Sequence, residues 1–273
     1  MHRFYIAPSD WNPDAPVLTG SEAHHCRDVL RMQRGDKAVL FNGRGREVTA
    51  EIADLRGHEI HFRKLHETQV PPLRCRITLG QAIPKGKHMD LIVQKAVEIG
   101  ASEIAPLISE RTIVELDQKD AAQKQIKWQQ IAIEAAKQCG QNWLPEVHAP
   151  QKLKDFFEGV EANAHPARTV SFAELKDSRS PRRTPRHFDL RLIGSLQSDA
   201  QHLKKVLADY AAEHRHLPAS VLMLVGPEGD FTPAELALAK SHGYLPITLG
   251  PIILRVETAA IYCLSILSYE LLV

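Results

Sequence analysis

Hydrophobic and polar positions follow one habit up to Val70 and another after it. Before Val70 the apolar positions come in short runs broken by tight-turn residues. Arg3 to Ile6, Lys37 to Asn42, Arg46 to Asp54 and Glu59 to Leu65 read as strands. Gly43, Arg44 and Gly45 give a three-residue hairpin loop, and Gly35 with Asp36 a turn. Glu22 to Met32 reads as a helix. Short strands with tight turns predict a small β-barrel.

Val70, Pro71 and Pro72 mark a boundary, so two domains are expected, 1–71 and 72–273. Beyond it strands and helices alternate. Arg76 to Ala82 is a strand and Pro84 to Lys87 a loop. Met89, Ile92, Val93 and Ala96 then recur at helical spacing up to a C-cap at Gly100. Ile104 to Ile108 is a strand; Trp128, Ile131, Ala132, Ala135 and Cys139 trace a second helical face ended by Gly140. Strands follow at Leu190 to Leu196, Val221 to Val225 and Ile247 to Leu249, and a last helix from about Glu257. This alternation predicts an α/β domain with a parallel sheet covered by helices. The pattern carries no sign of a knot, and knots are rare.

Composition narrows the class. At 273 residues, 44% hydrophobic and 25% charged, the chain suits a globular protein with a sizeable core. A formal charge of +1 gives no bulk basicity, so any nucleic-acid surface must be a local patch. Cys26, Cys75, Cys139 and Cys263 lie far apart and read as free, mostly buried thiols of a cytoplasmic protein. The first residues do not form a signal peptide. Ala259 to Val273 is apolar but too short and too polar in places to span a membrane. His24 with His25 and His214 with His216 lack partners at zinc-ligand spacing, so no metal is expected.

The chemistry concentrates in two strand-to-helix turns. In the first, Val221 to Val225 breaks at Gly226 and Pro227, and Thr232, Pro233 and Glu235 form a capping-box pattern. In the second, Leu249 leads into Gly250 and Pro251 and then the last helix. Glycines there let backbone groups approach a flat ligand. Read alone, they serve equally well as tight turns, with glutamates favouring helix N-termini.

These segments resemble the two C-terminal signatures of the RsmE family, roughly apolar-Gly-Pro-Glu-Gly-Gly-Phe and Leu-Gly-x-Arg-Ile-Leu-Arg-x-Glu-Thr-Ala. Further blocks match in order: Ser21 to His25, Val29 to Arg31, Phe41 to Gly45, Lys95 to Ala101, Ser109 to Arg111 and Glu134 to Gln138. The resemblance implies a SPOUT-type α/β domain with a trefoil knot behind a PUA-like β-barrel that holds RNA. It implies methylation of N3 of a uridine in 16S ribosomal RNA of the small ribosomal subunit, with S-adenosyl-L-methionine as cofactor. It also implies a homodimer paired through the apolar last helix. Gly226, Glu228, Gly229, Leu249, Gly250, Leu254 and Thr258 match the cofactor-lining positions, and Leu196 is a further candidate. Arg255 and Glu257 match Arg-x-Glu-Thr. Arg255 is the candidate for orienting the base or stabilising its anion; Glu257 either joins it or caps the helix. No residue stands out as general base.

For RNA, Arg27, Arg31, Arg34 and Arg44, with Lys37 and Arg46, oppose only Asp28 and Asp36; Arg3 is a further candidate. Such a cluster suits phosphates or is simply a solvated face. Lys176 to His187 is basic and proline-containing, a loop that would add phosphate contacts or remain solvated. Three positions depart from the family: Ile252 and Gln141 stand where it carries arginine, and Asp230 where it commonly has glycine. Two alternatives stay open: a relative acting on another RNA or base atom, and a non-catalytic ribosome-assembly protein.

Overall fold

Alternating burial builds the first sheet. The structure, a computed structural model, describes residues 1–112, 117–162 and 188–272; the basic stretch Lys176 to His187 lies outside them. Strands β1 (His2–Tyr5), β2 (Val17–Leu18), β3 (Lys37–Phe41), β4 (Arg46–Arg56) and β5 (Glu59–Gln69) pair in the order β1-β3-β4-β5-β2. Their inward residues Phe4, Leu18, Leu40, Val48, Ile52 and Ile60 form a closed apolar core. Gly43 and Gly45, at φ 69° and 84°, make the β3–β4 loop that their spacing predicted.

One expected element is altered. The helix read from Glu22 to Met32 is α-helical only over α1 (Gly20–His24) and then widens into a π-helical turn over His25–Val29. The Leu30 N–H donates to His25 O at 2.9 Å and the Met32 N–H to Cys26 O at 3.1 Å. The wide turn buries Cys26 and Met32 together and leaves Arg31 at φ 54°. A constant 3.6-residue period does not anticipate it.

The second part is an eight-stranded parallel sheet. It comprises β6 (Arg76–Ala82), β7 (Glu103–Ile108), β8 (Glu146–Val147), β9 (Gln151–Lys152), β10 (Leu190–Gly194), β11 (Gln201–His202), β12 (Ser220–Val225) and β13 (Leu245–Thr248). The order is β11-β13-β10-β12-β6-β7-β8, with β9 also on β7. The central strand β12 is buried on both faces, as parallel strands covered by helices are. Val221, Met223 and Val225 face a core shared with α2 (His88–Ile99), α3 (Gln118–Cys139), α5 (Leu203–His214) and α7 (Val256–Leu271). Leu222 and Leu224 face the opposite core, with α4 (Leu153–Ala162) and α6 (Pro233–Ser241). Helices α2 and α3 end at Gly100 and Gly140, both left-handed, as expected. Cys26, Cys75 and Cys263 are buried free thiols; burial pushes the Cys263 thiol up to about 12, so it is no nucleophile. Among the described residues no helix is long and apolar enough to cross a membrane, and no group of side chains is placed to hold a metal ion.

The two parts are joined through polar contacts. The β3–β4 loop lies on the segment after α3: Gly45 N–H donates to Asn142 O at 2.9 Å and Leu144 N–H to Gly43 O at 3.0 Å. Arg3 donates to Glu47 at 3.0 Å and to Asn142 Oδ1 at 2.5 Å, with its guanidinium 4.9 Å from the Phe41 ring centre. Lys137, only 7% exposed in its side chain, pairs with Glu22 at 2.9 Å. Lys137 also pairs with Glu134 at 3.1 Å, so it is removal of Lys137 that would leave the Glu22 carboxylate uncompensated.

Candidate active site

Strands β10, β12 and β13 are parallel neighbours, so their C-terminal ends open at one edge of the sheet, where α/β sheets commonly bind ligands. Three turns leave that edge: Gly194 to Leu196, Gly226 to Asp230, and Leu249 to Arg255. They enclose a cavity of about 400 Å³, within the range of about 300–1,000 Å³ for small-molecule sites.

The second turn along the chain is heavily braced. Gly226 lies so close to Phe231 that an added Cβ would stand 3.1 Å from its backbone nitrogen. Gly229 and Asp230 take φ of 86° and 70°, a region that suits glycine and, less well, Asp or Asn. Asp230 is stabilised there because its carboxylate accepts from the Phe231 N–H at 2.8 Å and the Leu196 N–H at 2.9 Å. The glycine that the family commonly carries is therefore replaced by a residue that bonds its own turn. Thr232 and Glu235 complete the capping box at 3.2 and 2.9 Å. Glu235 also accepts from the Glu110 N–H at 2.8 Å, and Arg111 donates to the carbonyls of Gly229 and Asp230. Glu228 accepts from the Lys85 N–H at 3.1 Å.

Of the residues read as cofactor-binding, Leu196, Gly226, Glu228, Gly229, Leu249, Gly250 and Leu254 all line the cavity. Thr258 does not: it is exposed on the outer side of α7, because the first helical turn carries Val256, Glu257 and Ala259 toward the cavity instead. Arg255 and Glu257 both line it. Glu257 is no helix cap, since Arg255 holds that position and makes no side-chain cap bond. The sequence reading missed His88, whose Nδ1 stands 3.7 Å from Glu257 Oε2 across the cavity wall, and Ser195, Met223 and Thr248. Their places follow from strand order and, for His88, from the packing of α2 beside α7, which no local signal encodes.

A flat, partly cationic ligand fits this wall. Peptide groups of three turns are available to a heterocycle edge, Glu228 and Glu257 offer two carboxylates, and Gly250 has open space where a side chain would stand.

The arginines assigned to RNA divide into two groups. Arg3 is engaged at the domain interface described above. Arg27 chelates Asp28 at 3.0 and 2.9 Å and also donates to the Gly57 carbonyl; its guanidinium holds the Asp28 carboxyl down at about 2. Arg31, Arg34 and Arg44 are exposed, and among the described residues their side chains form no salt bridge, although Arg34 lies close enough to Asp54 to help Arg56 hold that carboxyl down. Arg3 and Arg27 are thus engaged within the protein, whereas the other three form no salt bridge.

Comparison with known proteins agrees with this geometry. Residues 18–65 match an RNA methyltransferase PUA domain and residues 71–268 an RNA methyltransferase domain. A ribosomal RNA small subunit methyltransferase E of Synechocystis is 31% identical over 97% of this chain and 76% of its own. That of Bacillus subtilis is 29% identical over 99% and 97%. A Legionella pneumophila methyltransferase solved with the cofactor SAM is 31% identical with a TM-score of 0.78, covering 98% of this chain and 97% of its own. The Neisseria gonorrhoeae ribosomal RNA small subunit methyltransferase E, bound to S-adenosyl methionine, is 30% identical with a TM-score of 0.76, covering 99% and 98%. Fold and site together define the α/β RNA methyltransferases with a PUA-like N-terminal domain. Within them, the chain belongs to the ribosomal RNA small subunit methyltransferase E family.

Proposed function

We propose that this protein transfers a methyl group from S-adenosylmethionine to N3 of a uridine in 16S ribosomal RNA. The observation that carries the reading is the cavity at the ends of β10, β12 and β13, which gathers seven of the eight residues assigned to the cofactor, and Arg255 beside them. Relatives of the same fold have been solved with this cofactor. When bound, it supplies an electrophilic methyl group. The chain's own part is to orient and polarise. Arg255, exposed at the cavity wall, holds a carbonyl oxygen of the uracil and stabilises the negative charge that grows there as N3 loses its proton. Glu257 faces the same space.

The finer architecture belongs to the same proposal. The domains divide at 71/72, supported by the irregular segment between β5 and β6. The C-terminal part is SPOUT-type and knotted, a reading favoured by β13 lying between the earlier strands β10 and β11. Two copies pair through α7, whose exposed Tyr262 and Tyr269 suit an interface, and the enzyme works in the cytoplasm. Arg31, Arg34 and Arg44 contact RNA phosphates.

The test uses labelled S-adenosylmethionine and small subunits from a strain that lacks the enzyme, followed by digestion and mass identification of the labelled nucleoside. Label on N3-methyluridine is expected. Label on another nucleoside would move the target, and absence of both label and cofactor binding would favour an assembly role.

A further inference from the structure

A second hollow adjoins the cavity and has no part in the function proposed above. It measures about 170 Å³ and lies between the Pro84–Lys87 loop, the start of α2 and the first half of α3. Lys87, Lys124 and Lys127 line it against a single lining carboxylate, Asp90. Both oxygens of that carboxylate are committed: the buried Trp128 donates its Nε1–H at 3.0 Å and Lys127 its ammonium at 2.5 Å. Lys124 stands 5.6 Å from the Trp128 ring centre. Lys85 and Lys87 are exposed and, among the described residues, have no acidic partner for their side chains. The floor is therefore rigid and neutralised, and the remaining ammonium groups make the hollow electropositive.

Its size limits what it holds. Sites that enclose a small organic molecule run to about 300–1,000 Å³; this one suits a phosphate with the rest of its molecule outside. Its position selects which phosphate. The same loop borders the methyl-transfer cavity, because His88, the first residue of α2 after it, lines that cavity and the Lys85 N–H holds Glu228, which lines it too. A strand with one base in the cavity can reach this loop with a neighbouring phosphate, because the loop leads from one hollow to the other.

We propose that the hollow formed by Lys87, Lys124 and Lys127 binds a backbone phosphodiester of the RNA substrate next to the nucleotide being methylated. The proposal rests on the reading of the protein as an RNA methyltransferase. Lysine suits the task as a mobile point charge, and such ion pairs release counterions and set the salt dependence of binding.

The test is the double variant Lys87→Gln/Lys124→Gln in the full chain, with Lys127 left in place because it braces Asp90. Methyl transfer to small subunits is measured across salt concentrations, with cofactor affinity by calorimetry and RNA affinity by filter binding. The expected result is a rise in KM for the subunit of roughly tenfold, with kcat little changed. The slope of log affinity against log salt should flatten by about 0.7–0.9 for each phosphate no longer neutralised, and cofactor affinity should stay as in the wild type. Lys87→Arg/Lys124→Arg should recover most of the loss. An unchanged KM and salt slope would overturn the proposal, as would a parallel loss of cofactor affinity, which would mark the lysines as structural. Failure of the underlying function looks different: wild-type protein then transfers no methyl group to the subunit. Filter binding still judges the hollow in that case, and equal RNA affinity and salt slope in wild type and variant would sink it.

Discussion

The two turns that close the active site from β12 and β13 are built to opposite plans. The turn after β12 is pinned from four directions: by the Asp230 carboxylate to β10's exit, by Arg111 to its carbonyls, by Lys85 to Glu228, and by a capping box into α6. The turn after β13 has little more than the Thr248 hydroxyl bonded with Gly250, at 3.2 and 3.3 Å, and α7 begins without a side-chain cap. Ile252 and Ile253 in it are 74% and 76% exposed. The contrast assigns separate tasks. A preorganised turn costs no ordering when a ligand arrives. A loosely bonded turn can adapt as a large RNA docks, and it is the loose turn that carries Arg255.

The largest effect should come from the loose turn, through chemistry rather than stability. In the proposed reaction Arg255→Ala removes the cation that meets the developing charge, and loss of one such donor typically costs about 10²–10³ in kcat. Because the residue is exposed, the melting temperature should hardly move, and cofactor affinity should stay within about threefold, under 1 kcal/mol. Single-turnover rates and calorimetry on the same preparation decide it; unchanged turnover would remove Arg255 from the mechanism.

The braced turn should respond through stability instead. At φ 70° Asp230 occupies a conformation that alanine adopts at a cost of about 1–2 kcal/mol. Asp230→Ala loses the two carboxylate bonds and adds that strain, whereas Asp230→Gly loses the bonds alone. Urea unfolding should place the alanine variant roughly 1 kcal/mol below the glycine variant. Equal stabilities would show that the positive φ is not what makes this position special.

Much of this comparison was legible in the residues, and the divide has a physical cause. The capping box at Thr232 and Glu235 and the left-handed ends at Gly100 and Gly140 are decided within one turn of chain, so local spacing finds them. Strand β6 matched its expected ends because a run buried on both faces has no competing reading. The strand expected to run to Leu196 stops at Gly194 because the next residues turn into the cavity. What escaped was set by distant partners. The partners of Arg3, read as a phosphate candidate, are Glu47 and Asn142 on other elements. His88 drew no reading of its own, and it is α7 that places Glu257 across from it. Thr258 belongs to the matching motif, yet helical rotation turns it out of the cavity. A motif identifies which segment meets the ligand; side-chain direction within it depends on where the helix starts.

Ile252 offers the finest test of the two plans. It stands where the family carries arginine, is 74% exposed, and lines the rim of the cavity. If the loose turn serves RNA docking, Ile252→Arg should change stability by less than about 0.5 kcal/mol, as surface substitutions usually do, and lower KM for the subunit by a few-fold through one added phosphate ion pair. That gain should fade as salt rises, because the salt slope steepens by about 0.7–0.9 per phosphate neutralised. The effect separates the plans more cleanly than any loss, since a turn with a merely structural role would gain nothing from a new cation. A lower KM at low salt that converges on the wild type at high salt would place RNA along the β13–α7 turn; a KM indifferent to the substitution at every salt concentration would direct the strand away from it, toward Lys87 and the lysines of α3.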